Sequence, residues 1–484
     1  MKKSIFKNTI YKSILSFVNI VIPLLVGPYI VRLLDVELYG IYNKTFANFQ
    51  LFLTFASFGI YVFGVREISK IRNDKEKVSI LLTNLFLISI ITNLIITAIY
   101  IIFALVTSSG ITTTIYLLMI IQIVGNIFYI EFVNEALENY KFITIKTLVV
   151  KIIYILSLFL LVRKPDDIII YTIIINGTVL LNNIISFIYA KKKINFNFKN
   201  VQIKKYIPSL VMILIITNVD LLYSQLDRVM LGNFVSNVSV TIYYIPYYIV
   251  STLASIPYSI INVSIPRLSY LIENEGKESY ENMLNKSVSS LLFIIIPICF
   301  GVFVLAREVV ILYAGEKYLS IIPVLMLACI IRIIISVEST MTNLVMYPNN
   351  KEKKIMQYTL FCGILNLLLN SILVMLNILT PFSAMFTTGI SEIALSTCLY
   401  LYIKKNLKIK YTVFSKQNLF YLLLGVLFIP VSLTIRMFNL GFIMNIILII
   451  ISCIILYVGI LYIKKDENII LILKKVFSKV VNIR

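Results

Sequence analysis

About fourteen apolar stretches, each roughly as long as a bilayer is thick, follow one another from Ile14 to Tyr462 with almost no soluble sequence between them. A hydrocarbon core of ~30 Å needs ~20 apolar residues per helix. The stretches lie near 11–34, 41–64, 79–106, 113–132, 146–162, 168–190, 206–227, 240–263, 286–306, 319–346, 355–378, 383–403, 418–436 and 442–463. The expected fold class is therefore an all-α polytopic membrane protein with about 14 transmembrane helices. Mean hydropathy is +0.94 and 59% of residues are hydrophobic, against ~45–50% for a typical soluble chain.

The formal net charge of +21 would suggest nucleic acid in a soluble protein. Position argues otherwise. With the N-terminus placed in the cytoplasm, 34 of the 44 Lys and Arg fall in cytoplasmic segments. Seven fall opposite: Arg32, Arg163, Lys164, Arg228, Arg307, Lys317 and Arg436. Lys44, Lys151 and Arg332 lie inside helices. This is the positive-inside pattern, and it predicts both termini in the cytoplasm of a cytoplasmic (inner) membrane. The surplus charge then reports topology and contact with anionic membrane lipids rather than a nucleic-acid partner.

Histidine is absent, which excludes a Ser–His triad or an imidazole metal site. The five cysteines are scattered through apolar stretches with no C-x-x-C pair, as expected of buried inert thiols. No cofactor or metal is expected. Tryptophan is absent too, leaving 31 tyrosines to form the interfacial belt. Lys2, Lys3 and Lys7 precede an apolar run that is too long for a signal peptide and lacks a small-residue cleavage site. It reads as the first span. No connector has room for an ATPase module or a large catalytic loop.

Polar residues in spans are expensive and usually face protein or water. Lys12, Ser16, Asn19 and Pro23 share one face of the first span. Asp220, Tyr223, Ser224 and Asp227 share a face of the seventh. Tyr244, Tyr247, Tyr248, Ser251, Ser255 and Ser259 run along the eighth, and Arg332, Ser336, Ser339 and Asn343 along the tenth. The second span offers Lys44, Asn48 and Gln50. One reading is a hydrated cavity with cationic walls (Lys12, Arg32, Lys44, Arg228, Arg332), which would attract phosphate or pyrophosphate through charge-assisted hydrogen bonds. Asn19, Asn48, Gln50, Tyr223, Tyr247 and Ser251 would line it. Asp220, Asp227, Glu338 and Glu392 are the candidates for binding a coupling ion. The plainer reading is that small polar groups bond helix to helix and that Lys12, Arg32 and Arg228 snorkel to the surface.

Segment 28–40 (PYIVRLLDVELYG) resembles the opening of the Wzx-type polysaccharide repeat-unit flippases, within the superfamily that includes MATE multidrug exporters and the lipid II flippase. Further similarities follow in order: FGI at 58–60, VREI at 65–68, DKEK at 74–77, NEALENYK at 134–141, LDRVMLG at 226–232, PRLS at 266–269, AGEKY at 314–318 and GISE at 389–392. Arg32-Leu-Leu-Asp35 and Asp227-Arg228 echo each other about 200 residues apart, as internal repeats of transporters do. The resemblance implies two pseudo-symmetric six-helix bundles around a central cavity, expected at 1–203 and 204–405, with two more helices and a tail at 406–484. It also implies an undecaprenyl-pyrophosphate-linked oligosaccharide as substrate, alternating access, and other polysaccharide-assembly proteins as partners. Two alternatives stay open: a MATE-like cation-coupled exporter of drugs or metabolites, and a membrane glycan polymerase.

Overall fold

The computed structural model describes residues 2–471; within that range the side chains of residues 2–10, 12, 13, 199 and 216–224 lie outside the description. The described chain is helical. It divides into two compact units, Met1–Thr241 and Ile242–Arg484.

The first unit holds α1 (Lys2–Leu33), α2 (Val36–Ser57), α3 (Ile60–Ile71), α4 (Lys75–Thr107), α5 (Gly110–Gly125), α6 (Glu131–Ala136), α7 (Tyr140–Leu161), α8 (Ile168–Lys193) and α9 (Ile203–Phe234). The unit boundary falls inside α10 (Asn237–Ala254). The second unit continues with α11 (Ser259–Asn274), α12 (Lys277–Val304), α13 (Ala306–Tyr313), α14 (Ile322–Thr340), α15 (Glu352–Met375), α16 (Pro381–Tyr402), α17 (Lys416–Val426), α18 (Phe428–Met437) and α19 (Phe442–Ile463).

Among the described residues, 12 helices are long and apolar enough to cross a membrane, and α10 with α11, bent by 52°, adds a thirteenth. The seventh apolar stretch is carried by α9, 32 residues long. The charged stretches expected as connectors are largely helical. Arg66 and Lys70 belong to α3, Lys75 opens α4, and Lys277 opens α12. Side-chain caps explain the early starts. Asp35 accepts from the amides of Glu37 (2.9 Å) and Leu38 (3.0 Å), and Asp74 accepts from that of Lys77 (3.1 Å).

Two spans of the first unit are interrupted near each other. Span 2 breaks at Phe58 and Gly59, both with positive φ (50° and 71°). A Cβ at Gly59 would also lie 2.9 Å from the Leu210 carbonyl oxygen, so glycine is required twice over there. Span 4 breaks between α5 and α6, at Tyr129 and Ile130. Side chains serve the carbonyls freed at both breaks, as membrane-buried backbone demands. Ala56 O accepts from Thr92 Oγ1 (2.9 Å) and Asn93 Nδ2 (3.2 Å). Asn126 Nδ2 donates to Asn93 Oδ1 (3.1 Å), and Asn183 Nδ2 to Gly125 O (3.2 Å). Below the breaks, α3 and α6 meet in an apolar core that includes Phe63, Ile68, Leu82, Leu85, Phe132 and Val133.

Candidate functional site

In the first unit, Lys44 of α2 lies across Gly232, the last residue of the 226–232 motif. Its Nζ donates to Gly232 O at 2.9 Å, and a Cβ at that glycine would fall 2.5 Å from Lys44 Cδ. The lysine is half-buried. Asn48, one turn on, donates to Lys44 O (3.3 Å) and Tyr116 OH (2.9 Å). Arg228 is buried and donates to Gln225 Oε1; Asp227 is buried beside it. Closer to the start of α2, Gly40 admits α10. A Cβ there would be 2.0 Å from Asn237 O, and Thr241 Oγ1 donates to Val36 O at 2.9 Å.

In the second unit, Arg332 sits within α14, only 7% exposed. Its Nη2 donates to Ser251 Oγ on α10. The guanidinium carbon is 5.4 Å from the centre of the Tyr247 ring, within cation–π range. Tyr258 OH lies 3.3 Å from Ser336 Oγ on the same face of α14. Arg332 Nε is buried with no hydrogen-bond partner, and no carboxylate pairs with this arginine among the described residues. The tyrosines of α10 continue the surface: Tyr243 stacks on Tyr247 at 6.5 Å and Tyr244 lies 5.6 Å from Tyr248. The site is thus a desolvated cation set against aromatic faces and hydroxyls.

The remaining expected residues disperse. Arg32 and Asn19 are exposed, and Gln50 is half-buried. Glu338 accepts from Thr342 Oγ1 within its own helix run, and Glu392 is buried on α16. Lys12, Asp220 and Tyr223 lie outside the described residues.

Two polar clusters had not been singled out from sequence. Asn366, Asn370, Thr387 and Thr388 link α15 to α16, with Thr387 Oγ1 donating to Asn370 Oδ1 at 2.6 Å and Asn370 Nδ2 to Asn366 Oδ1 at 3.2 Å; the four-residue Asn spacing was the available signal. The other corrects an expectation. Lys146 counted as a connector lysine, yet α7 starts at Tyr140 and buries it. Its Nζ donates to both oxygens of Glu131 (2.9 and 2.8 Å), which Ser186 also hydrogen-bonds.

Solved structures share this multi-pass helical fold. The chain resembles the lipid II flippase MurJ in its inward closed conformation (TM-score 0.71, 15% identity, 94% of this chain and 99% of that one). It also resembles an inward-facing MATE-family multidrug resistance transporter (TM-score 0.55, 12% identity, 80% and 98%). At those identities the likeness concerns the fold. Sequence goes further: the pattern of the family described as "Polysaccharide biosynthesis protein" matches residues 5–272, and the chain belongs to that family. A protein of Escherichia coli (strain K12) named for O-antigen transport is 24% identical over 416 residues, covering 84% of this chain and 98% of its own length. The chain is therefore a multi-pass helical member of the polysaccharide biosynthesis family.

Proposed function

We propose that the protein translocates undecaprenyl-pyrophosphate-linked oligosaccharide repeat units across a bacterial cytoplasmic membrane by alternating access, with both termini in the cytoplasm. The observation that carries this reading is Arg332. A guanidinium buried without a countercharge is costly, and an arriving pyrophosphate would supply that charge. Charge-assisted hydrogen bonds of this kind contribute ~1.5–3 kcal/mol each. The Tyr247 ring and its neighbours along α10 offer flat apolar surface to sugar C–H faces, while Ser251 and Tyr258 bond hydroxyls. In the first unit, Lys44 and the exposed Arg32 are the further cationic groups proposed for the path. Differential binding must drive the conformational change, because a ligand with equal affinity for both states shifts nothing. Asp227, Glu338 and Glu392, with Asp220, remain the proposed coupling-ion groups.

The test is genetic and chemical together. In a strain whose surface glycan depends on this protein, neutralising Arg32, Lys44 and Arg332 should leave lipid-linked repeat units accumulating unexported. Arg332→Gln alone should do so in large part, and Arg332→Lys should retain partial export, since a point charge replaces the fork. Normal surface glycan in the triple variant refutes the cationic path.

A further inference from the structure

A groove of about 320 Å³ runs between α14 and α16 in the second unit, and Arg332 is not part of its lining. Ile333, Ile334, Val337 and Met341 form one wall; Ile393, Ser396, Thr397 and Tyr400 form the other. Its end is closed by Val413 and Phe414, on the connector to α17. The lining is almost wholly apolar, and Phe414 is 72% exposed.

The connector is held in place rather than loosely draped. Lys410 N donates to Glu281 Oε1, Asn285 Nδ2 to Lys410 O and Thr412 N to Asn285 Oδ1, each at 2.8 Å. Tyr400 faces Phe414 at 6.4 Å between ring centres. The groove wall on α16 follows a single helical stripe, 393, 397 and 400, whose next position is Lys404. Lys404, Lys405, Lys408 and Lys410 are all exposed, and none pairs with a carboxylate among the described residues. An apolar slot thus opens beside four exposed lysines, none in an ion pair among the described residues, at the end of a span.

We propose that this groove binds one anionic glycerophospholipid, with an acyl chain lying between α14 and α16 and its phosphate met by Lys404 and the lysines that follow. Each lysine near a membrane surface attracts anionic headgroups appreciably, and the groove adds a fixed seat for the chain that a basic interface alone lacks. The lipid is a resident ligand, separate from the proposed transported substrate and independent of that reading.

The chain contains no tryptophan, so single-tryptophan variants report one location each. Phe414→Trp, reconstituted in vesicles doped with brominated phosphatidylglycerol or brominated phosphatidylcholine, should show half-maximal quenching at roughly tenfold lower mole fraction of the anionic lipid. Phe198→Trp is the control. Phe198 is also exposed and follows Lys191, Lys192 and Lys193, but does not line the groove; its two quenching curves should differ far less. Lys404→Glu with Lys405→Glu and Lys408→Glu should erase the preference at position 414. Should that variant misfold, 1 M NaCl on the lysine-bearing protein should weaken it instead, since exposed charges are then screened. Unlabelled undecaprenyl phosphate at equal amount should leave the quenching unchanged. Equal quenching by both lipids at 414, equal preference at 198, or displacement by undecaprenyl phosphate each overturns the proposal.

Discussion

Separating Glu131 from Lys146 should cost the first unit more stability than removing both. Their side chains are 10% and 1% exposed, and the ammonium contacts both carboxylate oxygens within 2.9 Å. Glu131→Gln leaves a buried ammonium without the carboxylate it contacts. Lys146→Met leaves a buried carboxylate with Ser186 as its remaining donor, Ser186 itself being held by Asn134 Nδ2 at 2.8 Å. Breaking a buried pair from one side costs ~3–5 kcal/mol, whereas replacing both partners by neutral groups of similar volume is often close to neutral. The unit spans 241 residues; at that size ~1 kcal/mol shifts a melting temperature by ~2–4 °C. Each single variant should therefore melt roughly 6–20 °C lower, and the double variant Glu131→Gln with Lys146→Met should recover most of that loss. The assay is survival of the monodisperse peak on size exclusion after heating in detergent. Single variants that melt within about 3 °C of the parent, or a double variant whose loss equals the sum of the singles, would refute the argument.

Arg332→Met should leave stability unchanged or raise it by ~1–4 kcal/mol at most, while abolishing glycan export; a large destabilisation would mean that the arginine serves packing alone. Gly59→Ala should destabilise by ~1–3 kcal/mol, combining a positive φ with the Leu210 carbonyl at 2.9 Å, and unchanged melting would show that the chain can rebuild the break. Gly40→Ala should cost at least as much, because the obstacle at 2.0 Å is backbone; expression at parental level with parental melting counts against it. Asp167 accepts from the amides of Arg163 (2.8 Å) and Lys164 (2.7 Å), and those bonds hold its carboxyl below the usual carboxylate range. The order it gives this loop is present above the ordinary aspartate value of ~3.9 and fades as pH falls through the lowered one. Hydrogen exchange at Arg163 and Lys164 should be protected at neutral pH and lose that protection in Asp167→Asn.

Most of the architecture was legible because hydrophobic length is a strong signal and needs no partner. The α10 and α14 stripes were legible as well, since Tyr247 with Ser251, and Arg332 with Ser336, each repeat at helical spacing. That the two stripes meet, placing Ser251 on the guanidinium, depends on how helices pack, which periodicity does not carry. Lys146 illustrates the opposite failure. It reads as a connector lysine because Lys141 precedes it and the fifth apolar stretch only begins at it. Its partner Glu131 lies beyond a helix break that no proline marks, so no local pattern pairs them. The break at Gly59 likewise depends on Leu210, about 150 residues away in sequence.

The interruptions in spans 2 and 4 have a mechanical corollary. An unbroken membrane helix resists bending because every carbonyl along it is already committed to an amide one turn away. At Ala56 and Gly125 that commitment has passed to the side chains of Thr92, Asn93 and Asn183, whose rotamers can follow a carbonyl as it swings. Past the breaks, α3 and α6 share one greasy core. Two neighbouring creased rods thus turn their corners without baring those carbonyls to lipid.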